Sequence, residues 1–151
     1  MTAHATARKI REPLGLAVDA TYRAALFVAH AHGLIDPFGR RTVYDLSPSA
    51  KAETVLCACA AGGGLTKALD DFLAGTRASG VVARLAELLD KPDALADTII
   101  VIDAMGRSMR LHRTAEDGMS VSIGVEAFNG GHPKGRTFAI DGKRLAQALQ
   151  E

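Results

Sequence analysis

The sequence predicts an α+β fold in which helices from the first two-thirds of the chain pack on one face of a three- to five-stranded antiparallel sheet, with a C-terminal helix. Apolar residues recur at helical spacing before Asp97, and a β-branched run begins just after Thr98. The strands that follow are joined by connections so short that neighbours must be antiparallel. The 151 residues fit a single domain, residues 1–151, whose first residues, 1–12, are expected to be frayed.

Helix boundaries are predicted from capping residues and glycines. Pro13 suits a first turn and Gly33 suits a left-handed end, so one helix is expected from Pro13 to about His32. Ser47 followed by Pro48 predicts the start of the next helix. The later helices are expected at Pro48 to about Ala61, Leu65 to about Leu73, and Gly80 to Leu89.

The strands are predicted from side-chain alternation. Ile99–Ile102 is a continuous β-branched run, typical of a buried strand. Met109 and Leu111 then alternate with polar residues, so they are expected on one face. The predicted strands are 99–102, 107–113, 121–127 and 137–140, and Asp141 is expected to cap a last helix through Leu149.

Composition and charge limit the class of protein. Apolar residues at 48% and charged residues at 23% are typical of a soluble globular chain and exclude disordered and collagen-like classes. A net charge of +1 argues against binding nucleic acid by bulk electrostatics. No apolar stretch approaches the ~20 residues that span a bilayer, so no membrane partner is expected.

Cys57 and Cys59 are too close together for an unstrained disulfide, so both are expected to be reduced, which favours the cytoplasm. They fall late in their helix among small apolar residues and are therefore predicted to be packing residues rather than reactive thiols. His30 and His32 could join them in a metal site, but residues two apart on a helix diverge by about 200°. No metal or cofactor is expected, and a histidine in a last helical turn is explained by the helix dipole.

The segment 129–137 is the best candidate for a ligand site. Three glycines expose backbone N–H groups, and three basic side chains add positive charge, a combination that can hold a phosphate or carboxylate. The segment lacks the residue order of a P-loop, and a solvated hairpin loop is the alternative. The candidate ligand-binding residues are Asn129, His132, Lys134, Arg136 and Thr137.

The segment 65–89 resembles a helix-turn-helix in outline, with Arg77 and Arg84 as its basic residues. Its predicted turn, Ala74–Ser79, is longer than the usual three or four residues. A DNA-binding regulator therefore remains only a second alternative.

The patches Cys59-Ala60-Ala61-Gly62 and Phe128-Asn129-Gly130, the latter followed by Arg136-Thr137, resemble a family of small bacterial and phage proteins that has no known activity. Cys59-Ala60-Ala61-Gly62 leads into a helix at Leu65, as that family's cysteine does. Phe128-Asn129-Gly130 stands where the family has a W-N-D-like turn, ahead of the pair Arg136-Thr137 and a terminal helix at Lys143–Leu149. This chain has no tryptophan, and Gly130 replaces the family's acid. The resemblance implies a bacterial protein and directs attention to Cys59, Asn129, Arg136 and Thr137.

The predicted function is that of a small cytoplasmic, non-catalytic binding or accessory protein that self-associates as a homodimer. The reason is that Ile99–Ile102 and Val121–Ala127 make an apolar sheet that one helical layer does not fully cover. The alternative is a small anion-binding protein or enzyme, in which His132 moves a proton beside Lys134 and Arg136. A pocket beside 129–137, lined by Phe128 and Phe138, would favour that alternative.

Overall fold

The structure is a computed structural model that describes residues 1–38, 44–114, 120–123 and 137–150. Within these ranges the helices are α1 (Ala3–Arg11), α2 (Val18–Ala31), α3 (Pro48–Gly62), α4 (Leu69–Ser79), α5 (Val81–Leu89), α6 (Pro92–Ala96) and α7 (Gly142–Gln150). The strands are β1 (Thr98–Asp103), β2 (Met109–Thr114), β3 (Ser120–Ile123) and β4 (Thr137–Asp141). The predicted α+β class is confirmed, with helices first, then an antiparallel sheet and a C-terminal helix.

The N-terminal residues differ from the frayed start expected for 1–12. They form α1, capped by the Thr2 hydroxyl, which accepts a hydrogen bond from the Ala5 N–H at 3.1 Å. Ala3, Ala7 and Ile10 are fully buried at helical spacing, which anchors the helix in the fold. The single helix predicted over Pro13–His32 is wrong in its start. α2 begins only at Val18, after a turn in which Gly15 has a φ of +65°.

Helix α3 is the centre of the helical layer. As predicted, Ser47 caps it, its hydroxyl accepting from the Ala50 N–H at 3.2 Å, and Pro48 follows in the first turn. Its small side chains allow neighbouring helices to approach closely, and it packs against α1, α2, α4 and α5. Nearly every residue from Ala50 to Gly62 is therefore buried.

The boundary between α4 and α5 differs from the predicted one. Ala74–Ser79, expected as a turn, belongs to α4, and the left-handed Gly80, with a φ of +88°, is the only residue between the two helices. Gly75 does not end the helix because Phe72, Thr76 and Ser79 are buried at helical spacing on either side of it. No loop of three or four residues separates these helices, so the helix-turn-helix outline is not reproduced.

The strands form one antiparallel sheet in the order β3-β2-β1-β4. On β1, Ile100 lies between Leu111 of β2 and Ile140 of β4, and the next inward pair joins Ile102 with Met109. These side chains are buried against the helices, together with Leu56, Phe72, Leu85 and Leu145. The expected helical layer on one face of the sheet is therefore confirmed. We call this the inner face, and the opposite one the outer face.

Of the predictions for the second half of the chain, the third strand is met only in part by the described residues and the last helix is met in full. Val125 and Ala127, expected in the third strand, lie outside them, and β3 comprises Ser120–Ile123. The last helix begins as expected after Asp141, whose carboxylate accepts from the Lys143 N–H at 3.0 Å. In the part of the chain that the structure describes, no helix combines the length and the apolar character needed to cross a membrane.

Candidate functional site

The predicted ligand segment is described only at its end. Asn129, His132, Lys134 and Arg136 lie outside the described residues, as does Phe128. Thr137 is the first residue of β4, where it is exposed and paired in register with Asp103. The structure therefore locates the point where the segment joins the sheet.

A cavity of about 250 Å³ lies next to that point. β4, an edge strand, forms one wall through Phe138 and Ile140. The turn between α1 and α2 and the end of α3 form the others, with Leu14, Leu16 and Cys59. The Phe138 wall is the one that sequence reasoning named for a ligand pocket.

The chemistry of this cavity is amphipathic. Leucine, isoleucine and phenylalanine walls give it an apolar body, Arg144 of α7 supplies a cation, and Asp141 at the end of β4 supplies an acid. The side chain of Arg144 is 66% exposed, and its Nε lies 3.7 Å from Oδ2 of Asp141. An apolar cleft with one guanidinium can hold a small organic anion. Sequence reasoning missed Arg144 because nothing local in the sequence relates it to Phe138.

Both cysteines are free and buried, as predicted for packing residues. Burial raises the pKa of the Cys59 thiol to about 12, and burial together with the negative charge of Glu53 raises that of Cys57 to about 12. Cys59 is 5% exposed and lines the cavity, whereas Cys57 is fully buried. Neither thiol is poised for nucleophilic chemistry, since the thiolate is the reactive form.

A polar cluster missed by sequence reasoning joins Glu53, Arg77 and His32. Glu53 is 2% exposed, and its Oε1 accepts from Arg77 Nε at 2.5 Å while its Oε2 accepts from Arg77 Nη2 at 3.0 Å. His32, the residue after α2, donates from Nε2 to the same Oε2. The sequence signal for this cluster was the carboxylate of Glu53 in a helix made mostly of small, apolar residues, because a buried charge requires a partner.

The cluster fixes the charge of Glu53. Burial alone raises the pKa of its carboxyl, but hydrogen bonds and positive charge from Arg77 and His32 outweigh burial, so the pKa falls below its ordinary value. Glu53 is therefore an ionised, fully hydrogen-bonded carboxylate rather than a proton donor. The cluster connects the end of α2 with α3 and α4, and this is a structural role.

Two other kinds of site considered from the sequence, a metal site and a DNA-binding surface, can be compared with this geometry. In the described ranges, no three His, Cys, Asp or Glu side chains converge as a metal site would need. Arg77, one of the two basic residues of the DNA-binding alternative, is bound to Glu53. The other, Arg84, pairs with Glu87 at 3.0 Å. Both cations thus have carboxylate partners within the fold.

The outer face of the sheet carries apolar side chains at its centre. Ile99 of β1 is 48% exposed, although β1 is flanked by strands on both sides. Val101 on the same face is half-buried, and Ala139 beside it on β4 is exposed. Antiparallel sheets with a solvated face normally carry polar residues there. The outer face departs from that rule at Ile99, Val101 and Ala139.

Comparisons with protein-family models, with curated proteins and with solved structures found no significant match to this chain. The resemblance at Cys59 and Asn129 to small bacterial and phage proteins therefore stays a prediction.

Proposed function

We propose that the protein is a small, non-catalytic binding protein of the cytoplasm that self-associates through the outer face of its sheet. The observation that carries the proposal is the 48% exposure of Ile99 on an interior strand. The buried thiols of Cys57 and Cys59, whose pKa burial raises, give no support to catalysis by a cysteine.

The sequence of β1 supports self-association. Ile99, Ile100, Val101 and Ile102 form a continuous apolar run, the pattern of a strand whose two faces are both covered. Among the described residues of one copy, the helices cover the face of Ile100 and Ile102 and leave Ile99 exposed. A second copy supplies the missing cover, because two sheets pack face to face at about 10 Å through such side chains.

Sedimentation velocity over a range of protein concentrations tests this proposal. The full chain is expected to shift from monomer to dimer with increasing concentration, and Ile99→Lys is expected to remain monomeric. Val18→Lys is the matched control, because Val18 is also 48% exposed but lies on α2. A wild-type chain that stays monomeric at all concentrations refutes the proposal.

A second candidate function is the binding of a small organic anion. The observation in its favour is the amphipathic cavity between Phe138, Cys59 and Arg144, beside the segment that sequence reasoning singled out. An apolar carboxylate would place its hydrocarbon part against Phe138 and its charge at Arg144.

Thermal shift with hexanoate and benzoate tests this candidate, since a ligand that prefers the native state raises the melting temperature. Arg144→Gln is expected to abolish the shift, whereas Arg84→Gln on α5 is expected to keep it. Equal shifts for both variants would show that the anion does not use this cavity.

A further inference from the structure

We infer that two copies pack outer face to outer face about a two-fold axis parallel to β1, so that His112 of each copy meets Asp141 of the partner subunit. The inference rests on the self-association proposed above and specifies its geometry. Its basis is the order of charged and apolar side chains across the sheet.

The strand register places three side chains in one row. Ile99 of β1 pairs with His112 of β2 on one side and with Asp141 of β4 on the other. Directly paired residues of antiparallel strands project to the same face. Ile99 is exposed and its strand neighbour Ile100 is buried, so this face is the outer one. Across the outer face, the row therefore consists of a basic residue on β2, an apolar residue on β1 and an acidic residue on β4.

The adjacent row also has a basic residue on β2 and an apolar residue on β1, but its β4 residue is an alanine. Val101 pairs with Arg110 on β2 and with Ala139 on β4. Arg110 and His112 are half-buried, whereas Asp141 is exposed on the opposite side. Basic side chains thus follow β2, apolar ones follow β1, and the acid lies on β4. Asp141 also has Arg144 Nε at 3.7 Å, so its local environment is already partly neutralised.

This arrangement is self-complementary for only one of the simple two-fold axes. An axis parallel to β1 exchanges the two flanking strands, so β2 of one copy covers β4 of the other. His112 then faces the partner's Asp141, and Ile99 faces the partner's Ile99. An axis across the strands would instead place β2 over β2 and β4 over β4, with Asp141 against Asp141 of the partner subunit. Like charges in contact disfavour that second arrangement.

Charge variants at the row test the proposed contact between His112 and Asp141. His112→Asp sets two acids against each other under the proposed axis, and we expect the dimer dissociation constant to rise about tenfold or more. The double variant His112→Asp with Asp141→Asn removes that repulsion and is expected to recover at least about threefold. Asparagine still accepts the hydrogen bond from the Lys143 N–H, so the cap of α7 is preserved.

Sedimentation equilibrium of the full chain gives these dissociation constants, and circular dichroism melts confirm that each variant is folded. Weakening by His112→Asp with recovery in the double variant supports the inference, provided that mixed dimers of His112→Asp and His112→Lys chains are no tighter than both homodimers. Mixed dimers tighter than either homodimer would place β2 over β2 and overturn the axis. A dimer that Ile99→Lys abolishes but that His112→Asp leaves unchanged or tightens overturns the axis, while the proposed function stands. A wild-type chain without any dimer overturns both.

Discussion

Arg77 on α4 holds the buried carboxylate of Glu53 on α3 through two hydrogen bonds, at 2.5 Å from Nε and 3.0 Å from Nη2. The two ends of this pair differ in environment. The Glu53 side chain is 3% exposed, while that of Arg77 is 46% exposed. Arg77 therefore lies at the surface of the helical layer and neutralises the buried charge of Glu53 within it. A guanidinium can make two hydrogen bonds to one carboxylate, so it suits this role better than an ammonium.

Replacing Arg77 by alanine is expected to destabilise the fold by about 2 kcal/mol, because the buried carboxylate then loses two hydrogen bonds from a charged donor. The matched control is Arg84→Ala, since the Arg84 side chain is also 46% exposed but pairs with the exposed Glu87. The control is expected to cost less than about 0.5 kcal/mol. Urea unfolding measures the free energy of unfolding of both variants. Equal losses would show that the contact between Arg77 and Glu53 adds no stability.

Acid is expected to remove the contribution of Glu53. Its pKa in the folded chain is lower than its ordinary value of 4.5, so folding favours the ionised carboxylate. The stabilisation is present above that ordinary value and is lost as the pH falls through the lowered folded pKa. The difference in unfolding free energy between wild type and Glu53→Gln should therefore shrink in acid. A difference that stays constant from pH 7 to 3 would contradict this assignment.

The two thiols are expected to react slowly in the folded protein. Burial raises the pKa of both to about 12, so little thiolate is present at pH 8. Alkylation by iodoacetamide should be at least about 100-fold slower in buffer than in urea. With each cysteine alone, in Cys57→Ala and Cys59→Ala chains, Cys59 should react faster because it is 5% exposed and Cys57 is 0% exposed. Rapid native labelling of either would indicate a reactive thiol after all.

Gly75 is expected to be intolerant of a methyl group. A Cβ at this position would overlap the backbone carbonyl oxygen of Met105, which cannot move away as a side-chain tip can. Gly75→Ala should destabilise the fold by about 2 kcal/mol, although alanine favours a helix by about 1 kcal/mol. Ala74→Gly, one residue earlier and exposed, calibrates the helix-propensity effect. A more stable Gly75→Ala chain would mean that α4 and the turn after β1 are farther apart.

The sheet was the part of the fold most directly readable from sequence. The β-branched run at Ile99–Ile102 and the alternation of Met109 and Leu111 are local signals, and each matches a strand of the structure. Ser47 and Asp141 likewise carry their capping function in their own side chains.

Helix ends were less predictable because tertiary burial decides between competing local signals. Gly75 is a plausible helix end by residue type, yet α4 continues through it since Phe72 and Thr76 are buried on either side. Ala3, Ala7 and Ile10 form too weak an apolar pattern to predict a helix. Their burial against α2 and α3 is what stabilises α1.

Of the polar cluster, the sequence allowed only one prediction, that Glu53 needs a partner. Glu53 lies 21 residues from His32 and 24 from Arg77 in the chain, so no local motif relates them. A charge on a helix of small apolar residues demands a partner, but sequence alone does not say which. The same reason explains why Arg144 and Phe138, on successive elements, were not paired in advance.

Intermolecular contacts at Ile99 test the central claim, that a second copy covers the outer face of the sheet. Isotope-filtered NOE spectra of a mixed sample, half ¹³C-labelled and half unlabelled, detect only contacts between copies. The account predicts cross-peaks from the Ile99 methyl groups to Ile99 of the partner subunit at concentrations where the dimer forms. A dimer whose intermolecular cross-peaks all lie on the helices, with none from Ile99, would contradict it.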